Sequence, residues 1–135
     1  MKKSLLVFIA IFFSVISLKA QQHKIVFDLT TEDTASQSRV LRQFDNILNL
    51  NPDAELELVC HGDAVYMLVK SKAVLEDKMK GLMQKGKVKF VVCANSMKRL
   101  GVDKSEIISL AQIVPMAVLE LSAKQQMGWS YIWSH

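Results

Sequence analysis

Apolar and polar positions along this 135-residue chain change period several times, and each change marks an element. The run His23-Lys24-Ile25-Val26-Phe27-Asp28-Leu29 is short and β-rich and ends in the polar cluster Thr30 to Thr34, which predicts a first strand. From Ser36 to Leu50, the residues Val40, Leu41, Phe44, Ile47 and Leu48 recur at the three-and-four spacing of an amphipathic helix, with Arg39, Arg42 and Asp45 on the other side. Asn51-Pro52-Asp53 stops it. Glu55 to Cys60 begins with alternation and ends apolar, so a second strand delivers Cys60, His61 and Gly62 at its carboxyl end, and Asp63 is placed to cap a short helical segment through Leu68. Leu75, Met79, Leu82 and Met83 make the next helical stripe, with Glu76 and Lys80 as a four-apart pair and Gly86 as the stop.

The third strand is a continuous apolar run, Phe90-Val91-Val92, that hands Cys93 to a short helix. Asn95 or Ser96 is expected to cap that helix and Gly101 to close it. Asp103-Lys104-Ser105-Glu106 has the pattern of a capping box opening a turn of helix through Ile107, Ile108 and Leu110. Gln112-Ile113-Val114 predicts a fourth, short strand. Pro115 suits the first position of a helix whose apolar positions would be Val118, Leu119, Ala123 and Met127, with Gly128 closing it. A last strand follows at Trp129-Ser130-Tyr131-Ile132-Trp133. Strand and helix alternate without a linker or repeat, which predicts an α/β domain with a mainly parallel, five-stranded sheet.

The amino terminus follows another pattern. Lys2 and Lys3 precede an apolar series from Leu5 to Leu18, broken only by Ser14 and Ser17, and Lys19-Ala20-Gln21 follows. This is the pattern of a signal peptide over residues 1–20. Fourteen helical residues span roughly 21 Å, short of the roughly 30 Å hydrocarbon core, so no stable membrane span is expected once the leader is cleaved. An uncleaved amino-terminal anchor is the alternative. The expected location is periplasmic or secreted, and residues 21–135 form one domain with no room for a second.

Charge changes meaning once the leader is set aside. Residues 1–20 hold three lysines and no acid, so the 17 basic side chains of the whole sequence become 14 against 13 acidic ones. A near-neutral mature chain removes the electrostatic case for nucleic acid. Lys78, Lys80, Lys85, Lys87 and Lys89 read as a solvated face. No Gly-rich phosphate cradle is present; Gly62 alone does not make one.

Candidate chemistry concentrates where a parallel sheet places it, at the carboxyl ends of its strands. Those ends present Cys60, His61 and Gly62 from the second strand and Cys93 and Asn95 from the third. A thiol at a strand-to-helix junction lies near unpaired backbone N–H groups that favour a thiolate, provided a reactant can reach it. In an oxidising compartment Cys60 and Cys93 could instead pair as a disulfide, or Cys93 could be a small buried residue. Neither cysteine belongs to a C-x-x-C motif, and Cys60, His61 and Cys93 with His23 or His135 lack zinc-ligand spacing, so no metal site and no cofactor is expected. His61 reads as a hydrogen-bonded strand-end histidine. The scattered methionines read as packing. The alternation of Trp129, Tyr131 and Trp133 predicts an aromatic face covered by a neighbouring subunit, with an aromatic ligand platform as the alternative.

Four pieces in order, Val59-Cys60-His61-Gly62, Val92-Cys93-Ala94-Asn95-Ser96-Met97, Val114-Pro115, and Lys124-Gln125-Gln126-Met127-Gly128-Trp129-Ser130-Tyr131-Ile132, resemble the DsrE/DsrF-like family over essentially the whole mature chain. The resemblance implies a three-layer α/β/α sandwich, homotrimers or hexamers, and a match of Cys93 to the cysteine that carries sulfur as a persulfide in sulfur-relay members. It implies a carrier or transferase working with a sulfur donor or acceptor protein, with Cys93 as the reactive thiol and His61 and Asn95 as proton or hydrogen-bond partners. The family's sulfur-trafficking members are cytoplasmic, whereas this chain carries an export leader, and Cys60 is not part of their relay pattern. The competing expectation is a non-catalytic oligomer whose pocket, near Cys60, His61, Gly62 and Asn95, binds a small ligand or partner.

Overall fold

A computed structural model describes residues 22–134. The signal peptide expected over residues 1–20 and His135 lie outside the described residues. Strands β1 (Lys24–Leu29), β2 (Glu55–Cys60), β3 (Lys87–Cys93), β4 (Ala111–Val114) and β5 (Ser130–Ser134) alternate with helices α1 (Thr34–Leu50), α2 (Glu76–Lys85), α3 (Ala94–Leu100) and α4 (Ala117–Gln126). A 3-10 segment, Gly62–Leu68, follows β2, and a 3-10 turn, Lys104–Glu106, precedes β4. No helix among the described residues is long and apolar enough to cross a membrane.

The strands form one sheet in the order β4-β3-β2-β1-β5, and every pairing is parallel. The chain therefore walks outward from β1 to β4 and then returns across the sheet to place β5 on the other side of β1. Right-handed crossovers in opposite directions put their helices on opposite faces. The core divides accordingly. One face, under α1, α2 and α3, holds Phe27, Leu29, Leu41, Phe44, Cys60, Phe90, Val92 and Met97. The other holds Val26, Val59, Val91 and Cys93 beneath Ala117 and Leu121 of α4 and Trp129. This is the expected α/β/α layering, with three helices on one side and one on the other.

Local chemistry explains most boundaries. The α1 helix starts at Thr34, two residues before the expected Ser36, because the Asp33 carboxylate accepts from the Ser36 N–H at 2.8 Å. Its buried face carries Val40, Leu41, Phe44 and Leu48, and the Phe44 ring sits between those of Phe27 and Phe90, with centroids 4.9 and 6.3 Å away. Gly86 ends α2 in an extended conformation, and its lack of a side chain serves packing: a Cβ there would lie 2.6 Å from the Leu48 side chain. The Asp103–Glu106 capping box forms as expected, although its helix is only the three-residue turn and does not continue through Ile107 and Leu110.

Several expectations are corrected. Asp63 does not cap the segment after β2, because the turn begins earlier, at His61. Asn95 and Ser96 do not cap α3 either. Cys93 occupies the cap position, without a capping side-chain bond, and the other two residues lie in the first turn. Pro115 lies one residue before the cap of α4, which is Met116. The apolar stripe of α4 is rotated from its expected position: Val118, Leu119 and Met127 are 64, 63 and 66 % exposed, and the buried residues are Ala117, Leu121 and Lys124. The rotation follows from a partner that periodicity does not reveal. Lys124 reaches the carboxylate of Glu57, a 1 % exposed residue in the middle of β2, and also contacts Glu120 at 3.5 Å and the Trp129 ring at 4.5 Å. The aromatic alternation of β5 also has an internal explanation in part, since Trp129 is covered by α4 of its own chain and the Tyr131 hydroxyl bonds to Asp28.

Candidate functional site

Strands β3 and β4 are neighbours, yet the chain leaves β3 toward α3 on one face and β4 toward α4 on the other. In open α/β sheets that divergence marks the carboxyl edge where binding and chemistry gather. Cys93 lies at this edge, as the last residue of β3, 3 % exposed under α4.

Cys93 belongs to the apolar core beneath α4, yet hydrogen-bond donors from two helix starts reach its sulfur. The Ala117 N–H, at the start of α4, donates to Cys93 Sγ at 3.3 Å. Burial alone would push the thiol up; the Ser96 N–H, the Ala117 N–H, the Ser96 hydroxyl and the Asn95 N–H outweigh it and hold Cys93 below the ordinary cysteine value. Gly62 prepares the Ser96 hydroxyl by donating its own N–H to Ser96 Oγ at 3.0 Å, which leaves the hydroxyl proton for the sulfur. Gly62 is at φ +56°, and a Cβ would meet the Thr30 carbonyl at 3.2 Å, so glycine is what lets the backbone come this close.

His61 follows β2 on the same face of the sheet. Its Nε2 lies 2.7 Å from Asp28 Oδ1, and the Tyr131 hydroxyl donates to the other oxygen, Oδ2, at 2.7 Å. The Asp28 bond lifts His61 above the ordinary histidine value; burial opposes this, and the charges of Asp28 and Cys93 reinforce it. Burial pushes Asp28 up, but the bonds from His61 and Tyr131 and the His61 charge bring it below the ordinary carboxylate value. Tyr131 is pushed up to about 12 by the carboxylate it serves.

Of the residues expected from sequence, the structure gathers Cys93, His61, Gly62 and the backbone of Asn95. The Asn95 side chain is exposed, and its N–H also donates to the Pro115 carbonyl at 3.3 Å, tying the α3 start to the α4 start. Cys60 is elsewhere. It is fully buried on the α1 side of the sheet, where burial first and the Asp28 charge second push its thiol up, so it is neither a ligand contact nor a nucleophile. Both cysteines are free. Sequence reasoning missed Asp28, Ser96, Ala117 and Tyr131 as site residues. Only Asp28 left a signal, a carboxylate inside an otherwise apolar strand end. A cavity of about 410 Å³ lined by His23, Asn51, Asp53 and Lys87 lies at the opposite, amino-terminal edge and takes no part in this arrangement.

The fold and site together define an open parallel α/β domain that presents a donor-stabilised thiol at its topological switch point. The chain belongs to the DsrE/DsrF-like family, whose model matches residues 24–133. Its fold is similar to that of a protein of unknown function from Methanobacterium thermoautotrophicum, 26 % identical with a TM-score of 0.69 over 83 % of this chain and 99 % of that one. A conserved protein of unknown function from Bacteroides thetaiotaomicron matches with 16 % identity and a TM-score of 0.68 over 87 % of this chain and 98 % of that one. The ychN protein from E. coli matches with 13 % identity and a TM-score of 0.63 over 84 % of this chain and 99 % of that one. No curated protein matches the sequence.

Proposed function

We propose that this chain is an exported, thiol-based sulfur carrier that holds a sulfane sulfur on Cys93 as a persulfide and passes it to an acceptor thiol. One observation carries this reading: the Ala117 N–H is aimed at Cys93 Sγ from a second helix, so the sulfur of a strand-end cysteine is held as an acceptor of hydrogen bonds. An inert core cysteine such as Cys60 has the opposite surroundings. Cys93 is only 3 % exposed, so the group it accepts must be slim. A terminal sulfane sulfur fits that limit. The thiolate attacks that sulfur, the donor's S–S bond breaks, and a new S–S bond forms at Sγ.

Intact mass of the reduced mature protein after incubation with a small-molecule persulfide tests the reading. The expected result is added sulfur on wild type and on Cys60→Ala and none on Cys93→Ser. An unmodified wild type, with Cys93→Ser folding normally, would sink it. The mass of the chain recovered from its native host reports in the same measurement whether residues 1–20 are removed, as the export part of the proposal requires.

A second reading, a non-catalytic oligomer that binds a partner, draws on a different observation. Ile113, Met116, Val118, Leu119 and Met127 leave a contiguous stretch of β4 and the outside of α4 apolar and exposed. The two readings are compatible if the same face joins copies of the carrier.

A further inference from the structure

The carrier reading uses Cys93 and its donors, gives His61 only the general part of a proton or hydrogen-bond partner, and leaves Asp28 and Tyr131 without a role. These three come from three different strands and converge. In the β2–β3 register Cys60 is opposite Val92, so the next step brings His61 beside Cys93, about 4.8 Å away in the interstrand direction. The β1–β2 register sets Leu29 opposite Cys60, which places Asp28 one step behind on the adjoining strand. Val26, Val59 and Cys93 lie in the core beneath α4. Since side chains alternate along a strand, Asp28 and His61 extend that same face. Tyr131 joins them from β5, opposite Val26.

A carboxylate can only accept, so the 2.7 Å contact requires the proton on His61 Nε2 and leaves Nδ1 as the second, exchangeable position. Both oxygens of Asp28 are engaged, one by His61 and one by Tyr131, so the imidazole plane is fixed from behind. We infer that Asp28, His61 and Tyr131 form the acid arm of the Cys93 site. His61, as an imidazolium, gives its Nδ1 proton to the thiolate that leaves when sulfur is transferred, and Asp28 and Tyr131 are its positioning residues.

The inference rests on the carrier reading and completes its proton balance. Cys93 Sγ⁻ attacks the outer sulfur of a persulfide R–S–SH. The bond between the two donor sulfurs breaks with its electron pair on RS⁻, and RS⁻ takes the His61 proton. The products are Cys93–S–SH, RSH and neutral His61, with no net change of charge and no external oxidant. Between transfers the imidazolium is the counter-charge of the thiolate. Of the other charged groups on this side of the sheet, Lys124 lies between Glu57 and Glu120 beneath α4, Lys24 pairs with Glu55 at 3.5 Å, Lys87 and Lys89 lie farther back along β3, and Asp63 pairs with Arg99 at 3.4 Å beyond the strand end.

The test uses the mature chain with Cys60→Ala as background and a small-molecule persulfide as donor. His61→Gln, Asp28→Asn and Tyr131→Phe are compared in the pH profile of sulfur uptake and in the ultraviolet thiolate titration of Cys93, with Cys93→Ser subtracted. His61→Gln should raise the Cys93 midpoint, slow uptake about a hundredfold, and abolish the alkaline limb of the profile. Asp28→Asn should move that limb to lower pH, and Tyr131→Phe, which takes a donor off Asp28 and leaves more of its charge to His61, should move it slightly to higher pH. These two nearly isosteric variants carry the test if His61→Gln does not fold. Uptake by wild type together with unshifted profiles in all folded variants overturns the acid arm and leaves the carrier. A wild type that takes up no sulfur overturns the carrier reading itself, and the transfer step falls with it.

Discussion

Cys60 and Cys93 are the same chemical group one step apart on neighbouring strands, and the pleat separates their fates. Cys60 stands opposite Val92, so Cys93, the next residue along, points to the other face. One thiol enters the α1-side core and the other the α4-side core, at its edge beside the starts of α3 and α4. The same alternation excludes the disulfide that an oxidising compartment would otherwise permit, because the two Cβ vectors point apart. The Asp28–His61 pair belongs to this scale as well. His61 is raised above 6.5, so its share of stability is complete below that value and is lost as pH rises through its folded-state value. Asp28 is lowered below 3.8, so its share is complete above that value and is lost as pH falls through its folded-state value. The overlap is the window from about 3.8 to 6.5. Urea midpoints of wild type and Asp28→Asn should therefore differ most at about pH 5.5 and less at about pH 9. An equal difference at both would show that the pair does not titrate with folding. Of this chemistry the sequence displays the residue types. It does not show that Asp28 and His61, 33 positions apart, share a hydrogen bond, because only the sheet register brings them together.

The element where reading and structure part most is α4. Its sequence offers two apolar stripes, and hydrophobicity favours the one that ends up in solvent. The helix instead turns Ala117, Leu121 and Lys124 inward, which seats the Ala117 N–H on Cys93 and Lys124 on Glu57. Lys124 thereby holds the rotation of the helix whose first turn meets the Cys93 sulfur. Removing the lysine alone leaves a buried carboxylate whose Oε1 already lacks a hydrogen-bond partner. Lys124→Met is expected to cost about 3–5 kcal/mol in urea unfolding, and Lys124→Met with Glu57→Leu to recover most of it. A double variant no more stable than the single would argue that the pair stabilises the fold on balance. Elements with one-sided patterns fared better: α1, with its stripe and its stop at Asn51, and β3, with its unbroken apolar run, lie within two or three residues of where periodicity places them.

At the scale of the whole molecule, three helices cover one face of the sheet and one covers the other, and the single helix turns Val118 and Leu119 outward, with Met127 exposed at its end. A monomer gains nothing from Val118, Leu119 and Met127 in that position; a neighbouring copy would bury them. If copies assemble there, wild type should scatter light as a trimer or hexamer at micromolar concentration, and Leu119→Glu should give a folded monomer. A monomeric wild type would contradict the assembly. The sequence by itself determined the order of elements, the mainly parallel sheet that follows from their alternation, the family, and Cys93 as the residue to test, since local spacing and strand-end chemistry are written in neighbouring positions. Only the tertiary structure decided which face each strand end points to, which stripe of α4 is buried, that Tyr131, Asp28 and His61 join in one hydrogen-bonded chain, and that the Ala117 N–H meets the Cys93 sulfur. Those outcomes depend on register and crossover direction, which couple residues far apart in the chain and leave no periodic trace in it.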